Sequence, residues 1–305
     1  MNKKLIAMAI AGALAAPMVT QAAEMSDVKA SGFVDVFYYI TNDGDPNTES
    51  QFAVDQTEVD IEAGAVRIDL NAFGNAGTFE IDQAYAMAPI ANGWSMKAGR
   101  FDSGFTADNG DAPDMNMSSH SAVFDVLAGT GNAQFAGLSF MGMAGPANIA
   151  VSLIDDDKAS PDQTTTAALA VSGSVMEGLD VELGYVSKDS ATTTDINVNY
   201  VMDALRVNLD YITSDHATAG AAGYSLLASY DLGNGFSVAA RYDSVSPEDS
   251  ALDDEKSTTI FAAYSMTDNL TLALENKSGD NTNGGSAVTS IVDGTVTTLE
   301  VLGTF

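Results

Sequence analysis

The chain has 305 residues, with 42 acidic against 12 basic side chains and a net charge of −30, and it contains no cysteine. That balance excludes a nucleic-acid partner, whose phosphates call for Lys and Arg, and the missing thiols exclude a disulfide framework or a thiolate metal site. Nearly half of the residues (46%) are hydrophobic, yet no stretch beyond the N-terminus reaches eighteen continuous apolar residues, so no membrane helix is predicted.

The N-terminus reads as an export leader. Lys3 and Lys4 precede an apolar run from Leu5 to about Val19, and Thr20 and Ala22 supply the small positions before a cut that leaves Ala23 first. Losing residues 1–22 removes two lysines and no acid, which takes the net charge from −30 to −32. An exported, acidic chain without a membrane helix is either a soluble periplasmic protein or a membrane protein built from strands.

Period-two alternation starts at Val28 and predicts strands at about 28–40, 52–62, 64–73, 78–88 and 93–102, joined by short turns such as AGA (63–65) and IANG (90–93). A strand at about 133–142 follows, then the short turn MAGPA (143–147). Beyond it the alternation is regular. LRVNLDYI sets Leu205, Val207, Leu209 and Tyr211 against Arg206, Asn208 and Asp210, and GFSVAARYD sets Phe236, Val238, Ala240 and Tyr242 against Ser237, Arg241 and Asp243. Short turns at 175–178, 202–204, 232–235 and 266–269 alternate with longer polar loops at 155–163, 187–194, 213–222, 244–257 and 278–294. The chain closes on TTLEVLGTF, with Leu299, Val301 and Phe305 on one face and Thr298 and Glu300 on the other.

A soluble sandwich would also alternate. Even strand lengths, apolar faces ending on Tyr, and turns of alternating length instead match a transmembrane barrel with short periplasmic turns and long external loops. Placing Phe305 at the periplasmic end of a descending strand makes everything from Ser103 to Asn132 one external connection. It also turns SAVFDVL (121–127), which reads locally as a strand, into loop. The count is then about sixteen, and even counts are the rule for such barrels. The fold class predicted is therefore an all-β transmembrane antiparallel barrel of about 16 strands with a long third external loop.

The leader, VKASGFVDVFYYI as first strand, NGWSMKAGRFDSGF ahead of the long third loop, hairpins such as YSLLASYDLGNGFSVAARYD, and the terminal Phe together resemble the Gram-negative porins over nearly the whole mature chain. AGRFDSGF followed by DNGDAPD also resembles the β-barrel porins of the OmpL-like type. The resemblance implies an outer-membrane barrel, often a homotrimer, whose third loop (103–132) folds inward to narrow the pore. It further implies that Phe305 is read by the barrel-assembly machinery, and that acids on the loop (Asp108, Asp111, Asp114) face basic wall residues (Arg67, Lys97, Arg100) across a constriction. The alternative at those positions is solvated loop acids, with the basic residues paired to acids on neighbouring strands.

Alternation places Asp35, Glu58, Asp60, Glu62, Asp69, Glu80, Asp82, Asp180, Glu182, Asp195, Asp210, Asp243, Glu275 and Glu300 on the inner wall. The inward bases are Arg67, Lys97, Arg206 and Arg241, joined by Arg100 only if the pattern shifts near its strand end. Acids in that excess predict a cation-preferring pore for small hydrophilic solutes and ions. No cofactor is needed. The acidic external clusters (Asp155, Asp156, Asp157; Glu248, Asp249, Asp253, Asp254, Glu255) lack an EF-hand's ligand order and read as a solvated surface, although divalent ions could bridge them to lipopolysaccharide. No metal site is assigned.

His120 among Ser118, Ser119 and Ser121, and His216 after Asp215, do not by themselves make a nucleophile, base and orienting group, so the chain is read as no enzyme. Two alternatives stay open. One is a substrate-specific channel using Phe101, Phe105 and Phe124; the other is a structural or adhesive barrel with little conductance.

Overall fold

A computed structural model describes residues 28–42, 49–73, 79–108, 110–115, 117–155, 165–188, 191–216, 220–283 and 286–305. The predicted leader and the acidic residues Asp156 and Asp157 lie outside them.

Sixteen strands follow in chain order: β1 Val28–Asn42, β2 Glu49–Ala63, β3 Val66–Phe73, β4 Glu80–Ala91, β5 Trp94–Asp102, β6 Gln134–Ala144, β7 Ala147–Asp155, β8 Thr165–Met176, β9 Leu179–Lys188, β10 Ala191–Met202, β11 Leu205–Ser214, β12 Ala221–Gly233, β13 Phe236–Pro247, β14 Glu255–Thr267, β15 Leu270–Asp280 and β16 Gly294–Thr304. Each pairs antiparallel with its chain neighbours, and β1 pairs with β16, so the sheet closes into a barrel. The short turns use the residues that left-handed backbone favours. Asn92–Gly93 (φ 54° and 79°) and Asn234–Gly235 (φ 55° and 83°) have the positive φ at both centres that a tight hairpin turn requires.

Along β12 and β13 the period-two reading holds residue by residue. Tyr224, Leu226, Tyr230, Phe236, Val238 and Tyr242 are exposed on the outside, while Ser225, Leu227, Ala239, Arg241 and Asp243 are buried inside. The last strand aligns with the first through Val36↔Val301 and Tyr39↔Thr298. Phe305 extends this ladder by one rung, its N–H donating to the Gly32 carbonyl (3.0 Å) and its own carbonyl accepting from the Gly32 N–H (3.2 Å). The ring is 61% exposed and lies over Gly32, where any Cβ would collide with it.

SAVFDVL is no strand. After Ser121, residues Ala122–Gly129 form the helix α1. Ser121 caps it by accepting from the Phe124 N–H (3.2 Å), and Gly131 (φ 68°) closes it, its N–H donating to the Ala128 carbonyl (2.9 Å). Ala122, Val123, Val126 and Leu127 share one buried face, a helical spacing that a seven-residue window disguises as alternation.

Three further differences from the sequence reading have physical causes. β9 runs to Lys188 and β10 starts at Ala191, where a loop from 187 to 194 is predicted. The β-branched threonines of that stretch favour a strand even where both faces are polar. Glu255, read as a solvated loop acid, is fully buried: its carboxylate accepts from the N–H groups of Val288 (2.9 Å) and Thr289 (2.9 Å), the Thr289 hydroxyl (2.5 Å) and Asn283 Nδ2 (3.0 Å). It thereby holds the loop that enters β16. Finally, the interior is not uniformly aqueous. Phe101, Phe105, Val123, Val126, Leu127 and Phe135 pack with Val186, Ile212 and Val245 into an apolar cluster inside the barrel.

Candidate functional site

The described residues of the segment between β5 and β6 pack against the inner wall of the barrel. Helix α1 packs on β11, β12 and β13, and the acids of that wall accept the segment's polar hydrogens. Asp195 accepts from the Thr106 N–H (2.9 Å), Asp210 from the Ala107 N–H (2.9 Å), Glu275 from the Ser119 N–H (3.2 Å) and Asp243 from the Ala122 N–H (3.4 Å). Glu300 accepts from the Ser118 hydroxyl. A chain folded inside a closed barrel has few backbone partners of its own, and an unpaired buried N–H is costly. A carboxylate opposite each one removes that cost, at about 1.5–3 kcal/mol per charged hydrogen bond.

Arg241, on β13 and only 3% exposed, holds the same segment from the cationic side. It donates to the carbonyls of Ser119 and His120 (both 2.7 Å) and to the Ser119 hydroxyl (3.1 Å), and it pairs with Asp243 (3.0 Å) and Asp108 (3.5 Å). Asp108 in turn caps the turn into α1, accepting from the Ser121 N–H (2.6 Å).

The opposite wall is organised differently. Arg67 is held by Asp69 (2.7 Å), Asp60 (3.3 Å) and Glu62 (3.8 Å). The Lys97 ammonium sits over the rings of Tyr85 (4.5 Å) and Phe101 (5.3 Å). Gly99, with φ +139° and no room for a Cβ against the Ala84 carbonyl, precedes Arg100 in a strand whose register with β4 and β6 is unbroken there. The Arg100 guanidinium donates to Gln134 Oε1 (2.9 Å from Nε) and to the Ile81 carbonyl (3.2 Å), and it lines a cavity of about 750 Å³.

That cavity is bounded by Gln56, Asn71, Asp82, Asp102 and Gln134 on the β1–β6 side and by Asp111, His120 and Phe124 on the loop. Asp82 accepts from Gln134 Nε2 (2.7 Å). The carboxylate oxygens of Glu58, Asp82 and Asp111 lie within 4.8 Å of one another. Burial pushes the Asp111 carboxyl above its ordinary range, the Glu58 carboxyl beside it opposes that shift, and the neighbouring Asp82, Asp60 and Asp114 charges add to it. A second cavity, about 390 Å³, meets the loop from the side of the short turns, between Pro113, Met115 and Met117 of the loop and Arg206, Ser229 and Glu300 of the wall.

Of the six predicted constriction residues, Asp111 and Arg100 therefore line one cavity, Asp108 turns to Arg241 on the far wall, and Asp114 is exposed in a 3-10 turn (Ala112–Asp114). Among the predicted lumen charges, Asp35 and Asp69 are buried, Glu80 is exposed, and Arg206 donates to Asn199 (2.6 Å). Phe101 and Phe105 are buried in the apolar cluster, which leaves Phe124 at the cavity, stacked on His120 (4.0 Å). The His120 ring nitrogen Nδ1 faces the Asp108 carbonyl (3.1 Å). The anchoring role of the far-wall acids was not read from sequence. The one signal for it is their number, well beyond what the inward bases could pair.

A family model described as Gram-negative porin matches residues 5–284. The chain belongs to the Gram-negative porins. No curated protein sequence matches it. Solved structures with the same fold include a mutant of Rh. blastica porin (TM-score 0.65, 16% identity, covering 92% of this chain and 100% of that one) and the anion-selective porin from Comamonas acidovorans (0.64, 13%, 92% and 99%). A trimer form of in-vitro folded OmpT from Vibrio cholerae also matches (0.60, 14%, 92% and 99%). This porin is an outer-membrane barrel. Among its described residues no helix is long and apolar enough to cross a membrane, and its strands do the crossing.

Proposed function

We propose that this porin is a passive pore for small hydrophilic solutes and ions, with a preference for cations. The observation that carries the reading is the acid-rich cavity mouth. Asp82, Asp102 and Asp111 line it beside Arg100 and Lys188, with Glu58 buried immediately behind. A low-dielectric wall focuses such charge into the path of permeating ions. The anion-selective porin from Comamonas acidovorans has the same fold, so selectivity rests on these side chains and not on the barrel. The constriction is the Asp111 edge of the inward segment facing Arg100, Asp82 and Asp102, while Arg67 and Lys97 serve the wall. The pore acts without catalysis.

The proposal includes export through a leader cleaved after Ala22, insertion by the barrel-assembly machinery, and contact of the external loops with lipopolysaccharide. It includes assembly as a homotrimer, for which the trimer form of OmpT is the supporting parallel. The test of selectivity is the reversal potential of the pure protein in planar bilayers under a KCl gradient: a cation-directed potential is expected, and an anion-directed one overturns the reading. Deleting Phe305 removes the last rung against Gly32, and is expected to lower outer-membrane yield while leaving the conductance of assembled channels unchanged.

A further inference from the structure

We propose that Glu58 of β2, Asp82 of β4 and Asp111 of the inward segment hold one Ca²⁺ ion, which ties the free edge of that segment to the wall. Their carboxylate oxygens lie within 4.8 Å of one another. A cation between them would meet all three, and a shell of carboxylate and amide oxygens filled out by water suits the flexible shell of about six to eight oxygens around Ca²⁺ better than the strict octahedron of Mg²⁺.

The second observation is Glu58 itself. Its residue is 1% exposed, and neither carboxyl oxygen meets a hydrogen-bond donor. A buried carboxylate without a donor is strongly unfavourable unless it keeps a proton, which the neighbouring Asp111 or Asp60 carboxyl can accept, or gains a cation, and neither the apolar cluster nor the Arg241 clamp supplies the cation. Among the described residues no Lys or Arg lies within ion-pair distance of any of the three acids. Arg100 lines the same cavity, but its guanidinium is turned to Gln134 and the Ile81 carbonyl.

Asn71, directly across from Glu58 in the β2–β3 register, is equally buried and has an unpaired side-chain amide. Its oxygen is the neutral donor available to complete an all-oxygen shell. Asp82 and Asp111 open onto the 750 Å³ cavity, which gives the ion a path in and leaves room for water ligands. Bound Ca²⁺ converts three local negative charges into one. It therefore lowers the cation preference of the pore as it fixes the segment, a coupling that the acid count alone does not contain.

The test is calorimetric titration of CaCl₂ into refolded, EGTA-stripped porin in detergent, a readout that does not depend on conductance. Glu58→Gln and Asp111→Asn are compared with a control, Asp253→Asn/Asp254→Asn, which neutralises external acids. All variants are first checked for folding by circular dichroism and heat-shifted gel mobility. Wild type and control are expected to bind one Ca²⁺ with equal affinity, with affinity reduced at least about tenfold in both cluster variants and for Mg²⁺ on wild type. Ca²⁺ is also expected to raise the thermal midpoint of wild type but not of Asp111→Asn, a loop variant that leaves the strands intact. Equal binding by wild type and both cluster variants, no saturable binding, or Mg²⁺ binding as tight as Ca²⁺ would overturn the assignment.

Discussion

Two walls of one barrel use the same residue type in opposite ways. On β10–β16, Asp195, Asp210, Asp243, Glu275 and Glu300 are spent on the inward segment, each accepting a specific N–H or hydroxyl, and Arg241 is bound to the segment's carbonyls. On β1–β5, Glu58 and Asp82 cluster with Asp111, their carboxylate oxygens within 4.8 Å of one another, and Arg67 is absorbed by acids of its own hairpin. The lesson is that inward charge in a pore cannot be counted as a field until the charges that anchor structure have been subtracted. Here the far-wall acids are the surroundings of a folded loop, while on the near wall Asp82 and Asp102 line the cavity and Glu58 lies buried behind them.

The sharpest way to break this comparison is Arg241→Ala. It leaves Asp243 and Asp108 buried without their cation, a loss of about 3–5 kcal/mol for a buried pair. The segment should detach, and single-channel recordings should show a larger, noisier conductance. An unchanged conductance would mean the far wall does not hold the segment. Leu127→Ala tests the apolar half of the same anchorage, since Leu127 is fully buried in the cluster. A loss of about 2–5 kcal/mol is expected, read as a lower midpoint in denaturant with cation selectivity retained.

Asp111→Asn sharpens the other side. Removing one charge from the cavity mouth changes the energy of a passing cation by on the order of 1 kcal/mol, the interaction of unit charges about 4 Å apart in water. The cation-to-anion permeability ratio should fall severalfold while the thermal midpoint in EGTA stays at or above that of wild type. The smallest effect concerns pH. The Asp111 pKa is raised by burial, so the folded protein holds this proton at pH values where the unfolded chain has released it. Stability in EGTA should therefore rise as pH falls through the raised pKa and level off below the ordinary carboxylate value of about 3.9. Cation preference should decline over the same window, and Asp111→Asn should weaken both trends, the remainder coming from the other acids of the cavity.

Much of the architecture was legible because a barrel strand has only two faces and each meets a different solvent. Leu226 must face lipid and Ser225 must not, and one alternation error would reverse both. The alternation of short turns with long polar loops made SAVFDVL loop and the count sixteen. The helix in that loop was written in Ser121, the Val123–Val126–Leu127 face and Gly131, but a short apolar run satisfies both periods. The cavity residues were legible as types but not as partners. Asp108 and Asp111 are three residues apart, and one turns to Arg241 while the other turns to Glu58. No local pattern separates them, because the choice depends on which strand, more than a hundred residues away in one case, lies across the lumen.

What the sequence determined by itself is thus the barrel, its even closure and its acidic interior, since each follows from local periodicity and composition acting against a fixed lipid thickness. What only the tertiary structure decided is how the acids are divided between holding a loop and lining a path. A carboxylate's role is set by the donor, cation or second carboxylate within a few ångströms of it, and that neighbour is supplied by the folding of a distant segment into the barrel.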